Sequence, residues 1–167
     1  MPIRALIVDD EELARSEMRF LLEGMEDVVV VGEASGGEEA VRLVSELAPD
    51  LLFLDIQMPV LDGFGVVRRL IERGAPPLVV FTTAYDQYAI RAFEIHAADY
   101  LLKPIERERL AEAVQRSREI LPSRGEAAER LRRLTGHIKA GRKFLPRLVV
   151  RRGDGVDPVD ADRVSLI

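Results

Sequence analysis

The sequence predicts an α/β protein built on a doubly wound, five-stranded parallel sheet. Five short apolar segments, rich in Val, Ile and Leu, recur at regular spacing and are separated by segments of helical period. Most of them do not alternate polar and apolar residues, which is typical of parallel strands covered on both faces. Repeated strand–helix alternation implies βαβ units with right-handed crossovers. The predicted strands are 3–8, 28–34, 51–54, 78–83 and 100–102.

Helices are predicted between these strands from apolar residues spaced three or four apart. The first helix with a clear apolar face begins with a capping-box pair, Ser35 and Glu38. A later one follows Asp62, a typical N-cap residue. The predicted helices with the clearest pattern are 36–47, 62–73 and 106–120.

The pattern changes after the predicted sheet domain, which is residues 1–121. Residues 122–146 are rich in Arg and predict a basic, helical linker, opened by a second capping-box pair, Ser123 with Glu126. Residues 147–167 predict two strands around a Gly-containing turn. Because two short strands cannot build a core of their own, we expect this segment to be a fragment of a second domain.

Composition and charge exclude several classes of site. The chain has no Cys, which excludes disulfides and thiolate metal sites, and its two His residues disfavour a histidine-built zinc site. No apolar run approaches about 18 residues and no signal peptide is recognised, so we expect a cytoplasmic protein without a membrane span. Residues 1–121 carry 13 basic and 23 acidic residues, net −10, whereas residues 122–167 carry 11 and 6, net +5. The positive charge of residues 122–167 is equally consistent with an anionic binding partner and with a solvated linker.

Five polar side chains lie where predicted strands end. Asp9 and Asp10 follow the first strand, Asp55 the third, Thr83 the fourth and Lys103 the fifth. In open α/β sheets, functional groups gather at the carboxyl ends of the strands. Each residue alone has an ordinary explanation as a cap, a turn residue, a strand residue or a solvated charge. The combination on four strand ends of one sheet favours a functional site.

The chemistry expected of such a site is that of a hard cation and a phosphoryl group. Clustered carboxylates repel one another and would take up protons unless a cation lies among them. Oxygen ligands of this number suit Mg²⁺ or Mn²⁺. A carboxylate beside such a metal can attack phosphorus, with the metal, a Lys and a hydroxyl neutralising the transferred oxygens.

These residues lie in segments that resemble the receiver domain of bacterial two-component response regulators. The resemblance covers residues 2–121 and implies a flavodoxin-like fold with strand order 2-1-3-4-5. It is carried by LIVDDE at 6–11, LLFLDIQMPVLDGFG at 51–65, FTTAY at 81–85 and ADYLLKPI at 98–105.

The resemblance implies a role for each residue of the acidic pocket. Asp55 matches the phosphoacceptor, which receives its phosphoryl group from a histidine of a sensor kinase. Asp9 and Asp10 match the acidic pair that binds Mg²⁺, and the backbone carbonyl of Gln57 matches a further metal ligand.

The resemblance also implies a switch. Thr83 matches the hydroxyl that moves to the phosphate, Lys103 the lysine that contacts a phosphoryl oxygen, and Tyr100 the aromatic switch position. Gln57 and Tyr85 match the positions that tune dephosphorylation by limiting the access of water. The expected result of phosphorylation is a homodimer through the face of the fourth helix, fifth strand and fifth helix. Near that face lie the apolar residues Ala89, Ile90 and Phe93, and four charged residues are expected to pair across it: Arg91, Asp99, Arg107 and Arg118.

The C-terminal segment is similar to the opening of a LytTR-type DNA-binding domain. Together with the receiver it implies a response regulator that controls transcription. We expect promoter DNA to be bound by the full-length output domain rather than by these residues alone, and the basic stretch 124–152 to act as a linker.

Two other classes of function are weighed against this interpretation. A phosphatase with a nucleophilic aspartate would need an acid two residues after Asp55, where Gln57 stands, and the sequence contains no Gly-rich nucleotide loop. A stand-alone receiver acting through partners is disfavoured by the strands predicted after residue 147. We therefore expect no dedicated enzyme, although a receiver can release its own phosphoryl group.

Overall fold

The chain forms a five-stranded parallel sheet and a separate two-stranded hairpin. The structure is a computed structural model that describes residues 1–74, 76–135, 148–152 and 155–159. The sheet has the strand order β2-β1-β3-β4-β5, which confirms the predicted fold class. Its strands are β1 (Ile3–Val8), β2 (Val28–Ala34), β3 (Leu51–Asp55), β4 (Leu78–Thr83) and β5 (Asp99–Leu102).

Helices cover both faces of the sheet. Successive side chains of the buried strand β3 point to opposite faces, so Leu52 and Leu54 join one apolar cluster whereas Leu51 and Phe53 join the other. The continuous apolar runs of the sequence therefore contribute side chains to two hydrophobic cores, one on each face of the sheet. The helices are α1 (Glu12–Glu23), α2 (Gly37–Leu47), α3 (Gly63–Glu72), α4 (Ala89–Glu94), which follows a 3-10 turn at Asp86–Tyr88, and α5 (Arg107–Thr135).

The start of α2 differs from the predicted capping box. The N-cap is Gly36, one residue later than predicted, and it makes no side-chain cap. Ser35 Oγ instead lies 3.0 Å from Glu39 Oε2, and Glu38 Oε2 lies 2.6 Å from Arg69 on α3. The predicted Ser35–Glu38 pair is therefore wrong, because the shift in helix start moves the capping position to a glycine.

Helix α5 is longer than predicted and continuous. It runs through Pro122 to Thr135, so the separate helix predicted to begin at Ser123 is wrong. A proline inside a helix lacks the N–H that would bond to the carbonyl four residues earlier. The residues after Pro122 are mostly Glu, Ala, Arg and Leu, which are good helix formers and favour continuation of the helix. Residues 136–146 of the predicted linker lie outside the described residues.

The predicted C-terminal hairpin is confirmed. Strands β6 (Leu148–Arg152) and β7 (Gly155–Val159) pair antiparallel, with Leu148 opposite Val159 and Arg152 opposite Gly155. Neither strand joins the five-stranded sheet.

Candidate functional site

The carboxyl ends of β1 and β3 bring three carboxylates together, as predicted. The two strands are neighbours and pair Val8 with Leu54, so the next residues, Asp9 and Asp55, lie side by side. Asp10 completes the group, and one carboxylate oxygen from each of the three lies within 4.8 Å of the others. Asp9 and Asp55 are buried, whereas Asp10 is exposed to solvent.

Lys103 is the cation that the structure places in this group. Its Nζ lies 2.7 Å from Asp9 Oδ2 and 3.6 Å from Asp55 Oδ2. Its backbone N–H donates to the carbonyl of Thr83, 2.8 Å away, where β5 ends beside β4. The Lys103–Pro104 peptide bond is cis. One ammonium therefore serves two buried carboxylates and lies closer to Asp9.

The electrostatics of Asp55 follow from this unequal sharing. Burial, and next the charge of Asp9, raise the pKa of Asp55 to about 7, while Lys103 and the Gln57 N–H oppose the rise. That N–H donates to Asp55 Oδ1 over 3.3 Å. Burial would lower the pKa of Lys103, but its hydrogen bond to Asp9 and the charge of Asp55 raise it. The pocket is short of positive charge.

This shortage is what a divalent cation would correct. Three carboxylates against one ammonium leave an excess of negative charge, and carboxylate oxygens are the ligands that Mg²⁺ prefers. The residues present therefore fit such an ion. The backbone carbonyl of Gln57 as a further ligand stays a prediction.

The two predicted switch residues both contact Tyr85. Thr83 is fully buried at the end of β4, one residue past Thr82, which pairs with Asp55. The Thr83 hydroxyl oxygen accepts a hydrogen bond from the Tyr85 N–H at 3.2 Å. The hydroxyl of Tyr100 donates to the carbonyl of Tyr85. The backbone of Tyr85 thus joins the end of β4 to the aromatic residue on β5.

A glycine allows α3 to begin directly against the acceptor strand. A Cβ at Gly63 would lie 2.6 Å from the carbonyl oxygen of Asp55, closer than any side chain tolerates. The Gly63 N–H donates to Ile56 O at 2.8 Å, and Asp62 caps the helix by accepting from the Gly65 N–H at 2.8 Å, as predicted. The loop that carries Gln57 is therefore held at both ends.

Two contacts of the site were not predicted. Arg15 on α1 donates to the carbonyl of Asp9 at 2.8 Å, which holds the loop after β1. The Gln57 amide nitrogen donates to the hydroxyl of Tyr88 at 2.9 Å. Nothing in the sequence distinguishes Arg15 from other surface arginines, and Tyr88 lies 31 residues from Gln57.

Several side chains of the predicted dimer face are paired within the chain. Asp99 is buried and binds Arg109 and Arg116, at 2.9 and 3.2 Å between Oδ2 and the two Nη1 atoms. Arg118 pairs with Asp27. The expectation that Asp99 and Arg118 pair across a dimer stays a prediction. Any such ion pair would have to replace the contacts that both residues make within the chain.

Comparisons with known proteins agree on one family. The family model described as response regulator receiver domain matches residues 5–115. The transcriptional regulatory protein BtsR of Salmonella typhi is 51% identical over 117 residues, which are 70% of this chain and 48% of BtsR. The sensory transduction protein LytT of Bacillus cereus is 44% identical over 114 residues, 68% of this chain and 46% of LytT. The chain thus spans about half the length of the curated relatives it matches.

A solved structure shares the fold. The CheX-CheY-BeF3-Mg²⁺ complex of Borrelia burgdorferi contains a chain with a TM-score of 0.63 and 25% identity, covering 68% of this chain and 87% of that one. Among the described residues, no helix has the length and apolar character needed to cross a bilayer.

Proposed function

The chain belongs to the response regulator receiver domain family, and on that premise we propose that Asp55 accepts a phosphoryl group from a sensor histidine kinase. The observation that carries the proposal is the grouping of Asp9, Asp10, Asp55 and Lys103 at one edge of the sheet. An aspartate used only as a cap would not need to be buried beside a second buried carboxylate.

The transfer step follows from the positions of these groups. A carboxylate oxygen of Asp55 attacks the phosphorus of a phosphohistidine, the bond from phosphorus to the imidazole nitrogen breaks, and an acyl phosphate forms on Asp55. Lys103 Nζ, 3.6 Å from Asp55 Oδ2, is placed to neutralise a phosphoryl oxygen. The Thr83 hydroxyl, at the end of the neighbouring strand and one residue past the partner of Asp55, would be a neutral donor to the phosphoryl group.

Asp9, Asp10 and Asp55 would hold Mg²⁺ or Mn²⁺. When bound, the ion supplies positive charge to the carboxylates and to the phosphoryl oxygens. The fit of the donor set supports this, as does the Mg²⁺ present with BeF3 in the similar Borrelia burgdorferi complex.

Phosphorylation would then change the surface formed by α4, β5 and α5. A new phosphate on Asp55 accepts a hydrogen bond from the Thr83 hydroxyl, and movement of that hydroxyl towards the phosphate breaks the hydrogen bond that its oxygen now accepts from the Tyr85 N–H. Tyr85 in turn accepts from Tyr100, so the aromatic ring on β5 is released to move. We propose that the altered face forms a homodimer, for which Ile90, 75% exposed, is available as an apolar contact.

The output would be control of transcription in the bacterial cytoplasm. The relative named a transcriptional regulatory protein is about twice as long as the matched segment, which leaves room for a second domain. The proposed division is a receiver at 1–121, a linker at 122–146 and the start of a LytTR-type DNA-binding domain at 147–167. The hairpin of β6 and β7 supports this division, and promoter DNA would be bound by the complete output domain.

The experiment that tests the proposal is intact mass after incubation with acetyl phosphate and Mg²⁺. We expect an increment of about 80 Da on the wild type, its loss in Asp55→Asn and its loss with a chelator. Asp86→Asn, which changes an exposed aspartate at the same edge of the sheet, should keep the increment. An increment that persists in Asp55→Asn, or that never forms, would reject Asp55 as the acceptor.

A further inference from the structure

The side chain of Gln57 has a partner that its sequence position does not suggest. Its amide nitrogen donates to the hydroxyl of Tyr88 over 2.9 Å, a contact between the loop after β3 and the 3-10 turn before α4. The resemblance gave Gln57 and Tyr85 a common role in limiting water but implied no partner for the Gln57 amide. The structure uses Tyr85 differently, since its backbone binds Thr83 and Tyr100.

The ring of Tyr88 is held from two sides, which fixes the position of its hydroxyl. It packs at 6.1 Å on the buried ring of Phe64 and meets the Tyr85 ring edge to face at 6.4 Å. Phe64 is itself fixed between Phe81 of β4, at 5.1 Å, and the Arg91 guanidinium, 4.1 Å above its centre. A fixed hydroxyl can hold a flexible amide, so Tyr88 determines where the Gln57 side chain lies.

The position of Gln57 matters because this residue both contacts the acceptor carboxylate and lines an open cavity. A cavity of about 480 Å³ opens next to the loop and is lined by Gln57, Phe64, Tyr88 and Arg91 among others. This volume holds many water molecules, since each occupies about 30 Å³ in the liquid. The Gln57 backbone N–H binds the Asp55 carboxylate at 3.3 Å, so the residue that lines this cavity also contacts the acceptor.

We propose that Tyr88 is a positioning residue that sets the lifetime of the phosphorylated state by holding the Gln57 amide. The inference rests on the proposed function of Asp55. In the reaction concerned, water attacks phosphorus and the bond from phosphorus to the Asp55 oxygen breaks. The products are the carboxylate, inorganic phosphate and a proton released to solvent. Gln57, held by Tyr88, restricts the approach of that water.

A double-mutant cycle on the phosphorylated protein tests this. The chain is phosphorylated with acetyl phosphate and Mg²⁺, the donor is removed, and the half-life is read from the decay of the mass increment. We expect Tyr88→Phe, which removes only the hydroxyl, to shorten the half-life about threefold, the size of one neutral hydrogen bond. Gln57→Ala should shorten it at least as much, and Tyr88→Phe should have no further effect in the Gln57→Ala background.

The inference is overturned if Tyr88 does not act through Gln57. An unchanged half-life in Tyr88→Phe, or an undiminished effect of Tyr88→Phe when Gln57 is Ala, would show that Tyr88 does not act through Gln57. A shorter half-life in Tyr85→Phe but not in Tyr88→Phe would assign the control of water to Tyr85, as the resemblance implies, and not to Tyr88. Failure of the wild type to gain mass would instead reject the proposed function. Equal melting temperatures of the variants would separate positioning from loss of folding.

Discussion

Two buried aspartates of the same sheet have opposite electrostatic surroundings. Asp55 ends β3 at the carboxyl edge, and Asp99 begins β5 at the other edge; their side chains are 7% and 4% exposed. Burial works to raise the pKa of both. For Asp99 the hydrogen bond from Arg109, the Tyr100 N–H and the charges of two arginines outweigh burial, so its pKa is lowered. For Asp55 the pKa rises to about 7.

The difference lies in how many cations each carboxylate faces. Asp99 faces two guanidinium groups, of which that of Arg109 also lies 3.6 Å from the exposed Glu112. Asp55 instead shares the single ammonium of Lys103 with the buried Asp9. A satisfied carboxylate stabilises the fold, and an undercompensated one costs stability until a ligand arrives. We therefore expect Asp99 to contribute to folding, whereas the surroundings of Asp55 are consistent with its proposed role as phosphoacceptor.

Replacing Asp99 by Asn should have the largest effect on stability. The substitution keeps the shape but removes the charge that both arginines face, and breaking a buried ion pair costs about 3 kcal/mol. Urea unfolding at pH 7 measures the loss, with Asp86→Asn as the exposed control. A loss of stability no larger than that of Asp86→Asn would mean that the Asp99 cluster contributes no more than a surface contact.

The same substitution at Asp55 should change the free energy of unfolding in the opposite direction. In protein without metal, Asp55→Asn should raise the free energy of unfolding at pH 7 by about 2 kcal/mol, because it removes a buried charge lacking its own cation. The measurement is urea unfolding in the presence of a chelator. Equal or lower stability of Asp55→Asn would show that Lys103 already compensates Asp55 fully.

The two variants should also differ in pH dependence. Since the folded-state pKa of Asp55 is raised from 3.8 to about 7, its ionisation costs nothing below pH 3.8, costs progressively more up to about pH 7 and is constant above. The gain from Asp55→Asn should therefore grow across that window. The folded-state pKa of Asp99 is lowered, so its contribution is present above 3.8 and is lost as the pH falls through the lower value.

A smaller effect is expected from Mg²⁺. At a tenfold excess over the dissociation constant, an ion that binds only the folded state adds about 1.4 kcal/mol. We expect this stabilisation in the wild type and less than half of it in Asp55→Asn, measured by urea unfolding with and without Mg²⁺. Equal stabilisation of both proteins would place the ion away from Asp55.

The grouping of carboxylates around Asp55 could be predicted from the sequence, but the partners of Asp99 could not. The strand ends of a parallel sheet meet at one edge, so residues that follow apolar runs, such as Asp9 and Asp55, are brought together by topology alone. The partner of Asp99 depends on how α5 packs against β5, and the sequence has no comparable rule for that contact. Asp99 was accordingly expected to pair across a dimer rather than inside the chain.

Contacts made by long side chains were missed for the same reason. Arg15 and Tyr88 act through single hydrogen bonds whose partners are set by side-chain rotamers, not by a strand or helix period. The continuous passage of α5 through Pro122 was missed because a proline usually marks a helix end, although its cost can be borne when the flanking residues favour helix. Periodicity predicts elements and edges; it does not predict which rotamers meet.

The smallest effect should come from Arg116→Ala. Arg116 is 55% exposed and lies 3.2 Å from Asp99, whereas Arg109 is 37% exposed and also donates to the Tyr100 carbonyl at 3.1 Å. An exposed ion pair contributes about 0.5 kcal/mol, so unfolding should change by that amount, and Arg109→Ala should cost more. If Arg116→Ala instead costs as much as Asp99→Asn, two cations are a requirement of the buried carboxylate. Asp55, which shares the single ammonium of Lys103 with Asp9, would then be still further from charge compensation in the absence of its ligand.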